Sequence, residues 1–204
     1  MHFSRHQKYD FVPELQLIEN QNIEVVEEMK IVGFILRSDL KTCSNTAYIV
    51  RKAYGRMWIL QRLKALGASR SRLIDVLQKQ VLSTLNLGVP AWDCMLTNQE
   101  KVDIERVLKT GLRIIWGPHY TTFEEVIREA NIKTQGQVRE KIVKKFVRKS
   151  IKHKKFSKWF SENTEARVNT KASNRTKYKP VHAKKAFFKN SPIPTLTSIA
   201  NTLV

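Results

Sequence analysis

Between Thr97 and Pro118 the chain carries a helix with both ends marked, and this punctuation constrains the fold more than any other feature. Thr97-Asn-Gln-Glu100 is a capping box, in which a hydroxyl and a carboxylate satisfy reciprocal backbone donors. Ile104, Val107, Leu108, Gly111 and Ile115 then recur at helical spacing, and Gly117-Pro118 ends the run. Thr121-Thr-Phe-Glu124 reads as a second capping box, opening a shorter helix to about Ala130. Upstream, Ser44 to about Leu87 is helical too. Ala47, Val50, Tyr54, Trp58 and Leu66 form one apolar stripe, with Met57 and Leu63 beside it, and Gly67 is placed as a stop. Ser69 or Ser71 caps the next helix, whose apolar face holds Leu73, Leu77, Val81 and Leu85 before Gly88 and Pro90 close it.

The first forty residues read differently. Leu15–Ile18 and Ile23–Val26 flank a turn-like Asn20-Gln-Asn22, and Met29–Leu36 follows as a β-branched run with Gly33 in mid-strand. A glycine there marks a bulge or a close backbone approach. Two or three short strands need a helical face or further strands to be stable. The expected fold class is therefore α+β, predominantly α-helical, with a short antiparallel β element at the N-terminus and a basic helix and tail at the C-terminus.

The charge is partitioned along the chain. Residues 1–40 hold 4 basic and 7 acidic side chains, residues 41–136 hold 15 and 8, and residues 137–204 hold 18 and 3. The last third thus carries most of the net +19, which points to a polyanionic partner and divides the chain at 1–40, 41–136, 137–160 and 161–204. The last segment, "SENTEARVNTKASNRTKYKP" onward, reads as a weakly ordered basic tail ending in an extended Pro192-Ile-Pro194. Cys43 and Cys94 are too few for a disulfide framework and read as buried single thiols. The longest aliphatic run, Ile31–Leu36, is far too short to span a bilayer, so no membrane partner is expected. A nuclear or cytoplasmic location is.

Catalytic patterns are missing. A two-metal site needs clustered carboxylates, and none of Asp10, Asp39, Asp75, Asp93 and Asp103 neighbours another acid. No phosphate-binding glycine loop, nucleophile elbow or HExxH occurs. Glu124-Glu125 sits in a helix's first turn, where the macrodipole favours it, and His119 reads as a surface loop group. The expectation is a chain with no catalytic residue, no metal and no cofactor.

"KIVKKFVRKSIKHKKFSKWF", Lys141 to Phe160, is the chemical feature that remains: nine Lys/Arg and no acid. Within an expected helix from Gln137 to Phe160, Val143, Phe146, Val147 and Ser150 share one face, bordered by Ile142 and Ile151. Lys144, Lys145, Arg148, Lys149, Lys152 and Lys155 lie largely elsewhere. A docked helix with a solvated charged face, a membrane-surface or calmodulin-type helix, and a phosphate-binding arm all fit this pattern. A solvated face ordinarily mixes signs, and Ser150 and His153 break the apolar face a membrane would need. Phosphate contact is the reading that compensates the charge, with Phe156 and Trp159 as candidates for base stacking.

Several stretches, taken in order, resemble one family. "EVVEEMKIVGFILRSDLKT" looks like the lysine–hydrophobic–glycine hairpin that follows the palm of reverse transcriptases from non-LTR (LINE-type) retrotransposons. "AYGRMWILQRLKALGAS" resembles the helix after it. "LIDVLQKQVLSTLNLGVPAWDCMLTNQEKVDIERVLKTGLRIIWGPHYTTFEEVIREANI" is similar to the helical region that continues, and "SPIPTLTSIAN" to the terminal residues of such frames. The order and spacing match from about Phe3 to Asn201. "TQGQVREKI" departs from the family, whose members usually show a leucine and paired arginines there, and "SIAN" departs with Ala200 where a larger aliphatic residue commonly precedes the Asn.

The resemblance implies a palm edge and primer-grip-like hairpin over 1–40 and a thumb-like helical domain over 41–136. The fingers, most of the palm and its catalytic aspartates would lie upstream of Met1. It implies a primer–template-binding fragment, inactive alone, whose partners are nucleic acid (RNA–DNA hybrid, DNA or RNA) and the remaining fingers and palm. Lys30 and Gly33 match the hairpin motif; Arg62 and Lys64 sit in the matching helix as nucleic-acid contacts. A free-standing basic helical nucleic-acid-binding or scaffold protein is the alternative.

Overall fold

The computed structural model describes residues 26–153, 155–162, 177–182 and 186–203. The strand expected over Leu15–Ile18 lies outside them, as does that over Ile23–Val26 except for Val26, which belongs to no strand. The chain is α+β and predominantly helical. Two antiparallel strands, β1 (Glu28–Ile31) and β2 (Phe34–Arg37), precede α1 (Cys43–Gly55), α2 (Met57–Ala65), α3 (Arg70–Val76), α4 (Val89–Trp92), α5 (Asn98–Trp116), α6 (Phe123–Ala130), α7 (Gln135–Lys152), α8 (Ala186–Lys189) and α9 (Pro192–Thr202).

Gly33 is not in mid-strand. The hairpin pairs Glu28 with Arg37 and Ile31 with Phe34, and turns on Val32 and Gly33, both with positive φ (49° and 81°). Two positive φ angles define the two-residue turn whose twist matches paired strands. Arg37 holds the ribbon's open end, with Glu28 at 2.6 Å and Asp39 at 2.9 Å. The Arg37 guanidinium keeps the Asp39 carboxyl down at about 2. Asn45 Oδ1 accepts from the Ile35 amide at 3.2 Å, and Phe34 packs on the core, so α1 supplies the helical face that a two-stranded ribbon requires.

Helix α5 is the hub, packed against α1, α2, α3 and α7. Its Ile104, Val107, Leu108, Leu112, Ile115 and Trp116 are all buried. The expected capping box is present: Thr97 Oγ1 accepts from the Glu100 amide, and Glu100 Oε2 accepts from the Thr97 amide at 2.7 Å. Gly111 is where α5 meets Leu77; a Cβ there would fall 2.4 Å from Leu77 Cδ1. Leu73, Leu77, Val81 and Leu85 are buried as expected, but not in one regular helix. After α3 the chain widens into a π turn over Leu77–Val81 and tightens into a 3-10 turn over Leu82–Asn86, which brings both Val81 and Leu82 to the core.

Other expectations are corrected. Of the expected stripe, Ala47, Tyr54, Trp58 and Leu66 face outward, with Trp58 62% and Leu66 75% exposed, whereas Val50 is half-buried against the core. The buried stripe is Ile49, Ala53, Met57 and Leu60, which keeps one helical phase across the junction of α1 and α2 at Arg56. Gly67 does stop α2, with Ala68 and Gly67 amides donating back to Leu63 and Lys64 carbonyls. The N-cap of α6 is Thr122, whose hydroxyl accepts from Glu125, one residue later than expected. Cys43 is exposed rather than buried.

The boundary expected between residues 136 and 137 falls inside α7, whose N-cap is Thr134. The C-terminal segment, where described, is not a loose tail. Glu162 bridges to Tyr178, the Asn201 side chain holds the Tyr178 amide and carbonyl at 2.8 and 3.0 Å, and α9 packs on α7 and α4. Pro192-Ile-Pro194 is the first turn of α9, not an extended strand. Among the described residues no helix is long and apolar enough to cross a membrane.

Candidate nucleic-acid interface

Helix α7 is fixed at its start by a capping box, Thr134 with Gln137, and by Glu105, whose carboxylate accepts from the Gln135 amide at 3.0 Å. One turn later the buried Arg139 Nε donates to Asp93 at 2.7 Å. Val143, Val147 and Ser150 continue the buried face, with Phe146 half-buried beside them, as the sequence pattern implies. These ties fix the rotation of α7 about its own axis.

The opposite face is therefore also fixed. Lys141, Lys145, Arg148 and Lys152 follow one another at helical spacing, with Lys149 alongside, and all five are exposed. At about 1.5 Å per residue the stripe runs roughly 16 Å. None of these five side chains has an ion-pair or hydrogen-bond partner among the described residues. Lys144 differs: it is half-buried and paired with Glu140 one turn back.

The helix ends at Lys152, not at Phe160. Phe156 turns back to meet Phe146 (ring centroids 6.3 Å apart) and His153 (5.3 Å) at tilted angles and Trp159 (4.9 Å) edge to face. A continuous helix would carry Phe156 about 15 Å from Phe146 along the axis. Phe156 is half-buried in this cluster, and Trp159, 38% exposed, is the ring open to solvent. Lys155 is exposed just beyond the helix end.

The two cations expected on α2 divide. Arg62 is exposed on α2, one turn from the exposed Trp58. Lys64 is turned inward: its Nζ donates to the Ile114 carbonyl at 2.6 Å, closing one of the free carbonyls at the end of α5. That contact commits one of its three N–H donors to the fold. Other cations of this region are likewise spent on the fold, with Arg70 over Trp116 and bonded to Glu129, Arg113 over Tyr120, and Lys109 over Phe123. Lys30 is exposed on β1 with its Nζ 4.6 Å from the Tyr48 ring centre, and Gly33 forms the hairpin tip. The hairpin rests on α1, whereas α7 rests on α4, α5 and α9, so the two groups of candidate residues are built on different supports.

Beside the first turns of α7 lies a cavity of about 300 Å³, with Lys133 and Lys141 on it and Asn86 and Gln135 in its wall. Sequence reasoning did not find Lys133, Asn86 or Gln135 as site residues. Asn86 and Gln135 are forty-nine positions apart and read locally as a helix end and a helix start. No protein-family model, curated protein or solved structure matches the chain.

Proposed function

We propose that this chain is a nucleic-acid-binding fragment of a LINE-type retrotransposon reverse transcriptase, comprising palm edge, thumb-like helices and C-terminal extension. It holds primer–template and has no catalysis of its own. The observation that carries nucleic-acid binding is the one-sided stripe of five cations on α7, without ion-pair partners among the described residues and set opposite a buried face. Like charges so spaced repel one another, and a phosphate backbone is the polyanion whose regular charge compensates such a row. The polymerase part of the proposal rests on the resemblance. The site of action is the nucleus or cytoplasm.

The test is fluorescence anisotropy with an RNA–DNA hybrid, duplex DNA and single-stranded RNA of equal length, each across a salt series. Five phosphate contacts on a duplex give a log–log salt slope of about −4.5. Reversing the charge of Lys145, Arg148, Lys149 and Lys152 together abolishes most binding and flattens the slope. Unchanged affinity would reduce the stripe to a solvated face. A preference for the hybrid that survives moderate salt supports the polymerase origin.

One observation favours the alternative, a free-standing basic helical protein. The hairpin and helices close a core of their own, with Asn45 and Phe34 tying β2 to the helices. Equal affinity for the three nucleic acids, collapsing together with salt, is the outcome that reading expects.

A further inference from the structure

The cavity beside α7 has the chemistry of an anion site. No Asp or Glu of the described residues lines it. Lys133 and Lys141 do, both exposed and neither with an ion-pair or hydrogen-bond partner among the described residues. Its polar wall holds the carboxamides of Asn86 and Gln135. Asn86 Oδ1 and Gln135 Oε1 are closed off from solvent and unpaired. The amino groups, Nδ2 and Nε2, make no hydrogen bond among the described residues and are not wholly buried, so each carboxamide turns its donor end to the open space. Asn86 is half-buried and Gln135 1% exposed, so both donors are held by the fold rather than free in water. Donors so held, beside two ammonium groups and with no acid to answer them, are matched by an anion, whose charge strengthens each hydrogen bond. Leu82, Val138 and Ile142 supply an apolar wall, and the volume, about 300 Å³, is that of a small organic ligand rather than a bare ion.

We infer that this cavity seats a phosphate monoester, supplied by the phosphorylated end of a bound strand. The inference rests on the nucleic-acid reading above for that source. A phosphate inside a strand carries a single charge and suits the separate cations of the open stripe. A terminal phosphate carries close to two charges and three strong acceptor oxygens. Two ammonium groups and two carboxamide donors around one space match the terminal group. The apolar wall and the remaining volume then receive part of the terminal nucleoside. The place fits as well. Lys141 borders the cavity and begins the row that continues through Lys145, Arg148 and Lys152, so the cavity lies at one end of a strand's path along that row.

The test uses the whole chain at fixed ionic strength and one short single-stranded RNA, prepared with a 5′-phosphate, with a 3′-phosphate or with hydroxyls at both ends. Anisotropy should show one phosphorylated form binding about tenfold more tightly than the hydroxyl form. Asn86→Leu, which changes no charge, should remove most of that difference, and so should Lys133→Gln. Lys133 is exposed and outside the stripe, so its variant carries the test should Asn86→Leu fail to fold. Equal binding of the three forms, or a difference that survives in the folded variants, overturns the inference. Inorganic phosphate separates the sources. It should shift the NMR signals of Leu82, Val138 and Ile142, in the wild type and in the variant with Lys145, Arg148, Lys149 and Lys152 replaced by glutamine. Those shifts, with strand binding lost in that variant alone, uphold both proposals. Phosphate that leaves the three signals unmoved overturns the cavity as the seat. Wild-type strand binding that ignores the terminal phosphate sinks this inference alone. Cavity shifts with no strand binding at all overturn the strand end as the source, and the nucleic-acid reading with it.

Discussion

Val32 adopts a backbone conformation that a β-branched side chain strongly disfavours, with φ 49° at the first central position of the hairpin turn. Its side chain is 91% exposed, so no burial offsets the strain. Asn-Gly is the favoured pair for this turn, and Val32→Asn should raise stability by about 1 kcal/mol, seen as a higher urea midpoint with unchanged slope. A neutral or destabilising result would show that Val32 has an apolar partner. Glu100 is the opposite case, a buried acid with every tie satisfied. Burial alone would raise its carboxyl. The Thr97 amide and hydroxyl and the Thr42 and Thr46 hydroxyls, at 2.7 and 3.1 Å, together hold it below its ordinary value. A depressed carboxyl contributes stability above its unfolded pKa and loses it as pH falls through the folded value. Glu100→Gln should therefore cost about 2 kcal/mol near neutral pH, with the deficit shrinking as thermal melts are taken below the ordinary carboxylate range. A deficit that stays constant with pH would assign the loss to packing. The capping box was legible in the sequence because its partners are three residues apart; Thr42 and Thr46 were not, being 58 and 54 residues away.

At the scale of elements, period and punctuation located the helices of the middle of the chain and the buried face of α7, since Val143, Val147 and Ser150 are neighbours on any helix drawn through them. Which of two apolar stripes is buried was not legible between Ser44 and Leu66. Both keep helical spacing, and the larger residues Tyr54 and Trp58 drew the expected stripe away from Ile49 and Ala53, although Met57 was placed beside it. α9 was hidden by its prolines. Pro192 and Pro194 fall at the first and third helical positions, where the backbone amides have no intrahelical partner to lose. Beyond them Leu196 and Ala200 are buried and Ile199 and Leu203 half-buried, one face against α7 and α4. Leu196→Ala should then destabilise the whole protein by about 2–3 kcal/mol in a single cooperative transition. Were the segment an unattached tail, the denaturation midpoint would not move.

For the whole molecule two electrostatic effects oppose one another, and salt weakens both. The surface carries ion pairs on largely exposed side chains, such as Lys79–Asp75 and Arg106–Asp103, each worth at most about 1 kcal/mol and reduced by screening. Against them stands a net charge of +19, to which the α7 stripe contributes, and self-repulsion of that kind is also reduced by screening. With 37 basic and 18 acidic side chains, most cations have no acid to pair with, so relief of repulsion outweighs loss of pairing. The melting temperature should rise from low salt to about 0.15 M, where the Debye length falls to about 8 Å, comparable with the spacing of charges along α7. Replacing Lys145, Arg148, Lys149 and Lys152 with glutamine should flatten that rise and raise the low-salt melting temperature. A short polyanion should act more strongly than salt, because a ligand at a hundred times its dissociation constant adds about 2.7 kcal/mol to the state that binds it. That increment should vanish in the glutamine variant. A melting temperature that falls with salt, or a polyanion effect that survives removal of the four charges, would place the stabilising anion site somewhere other than α7.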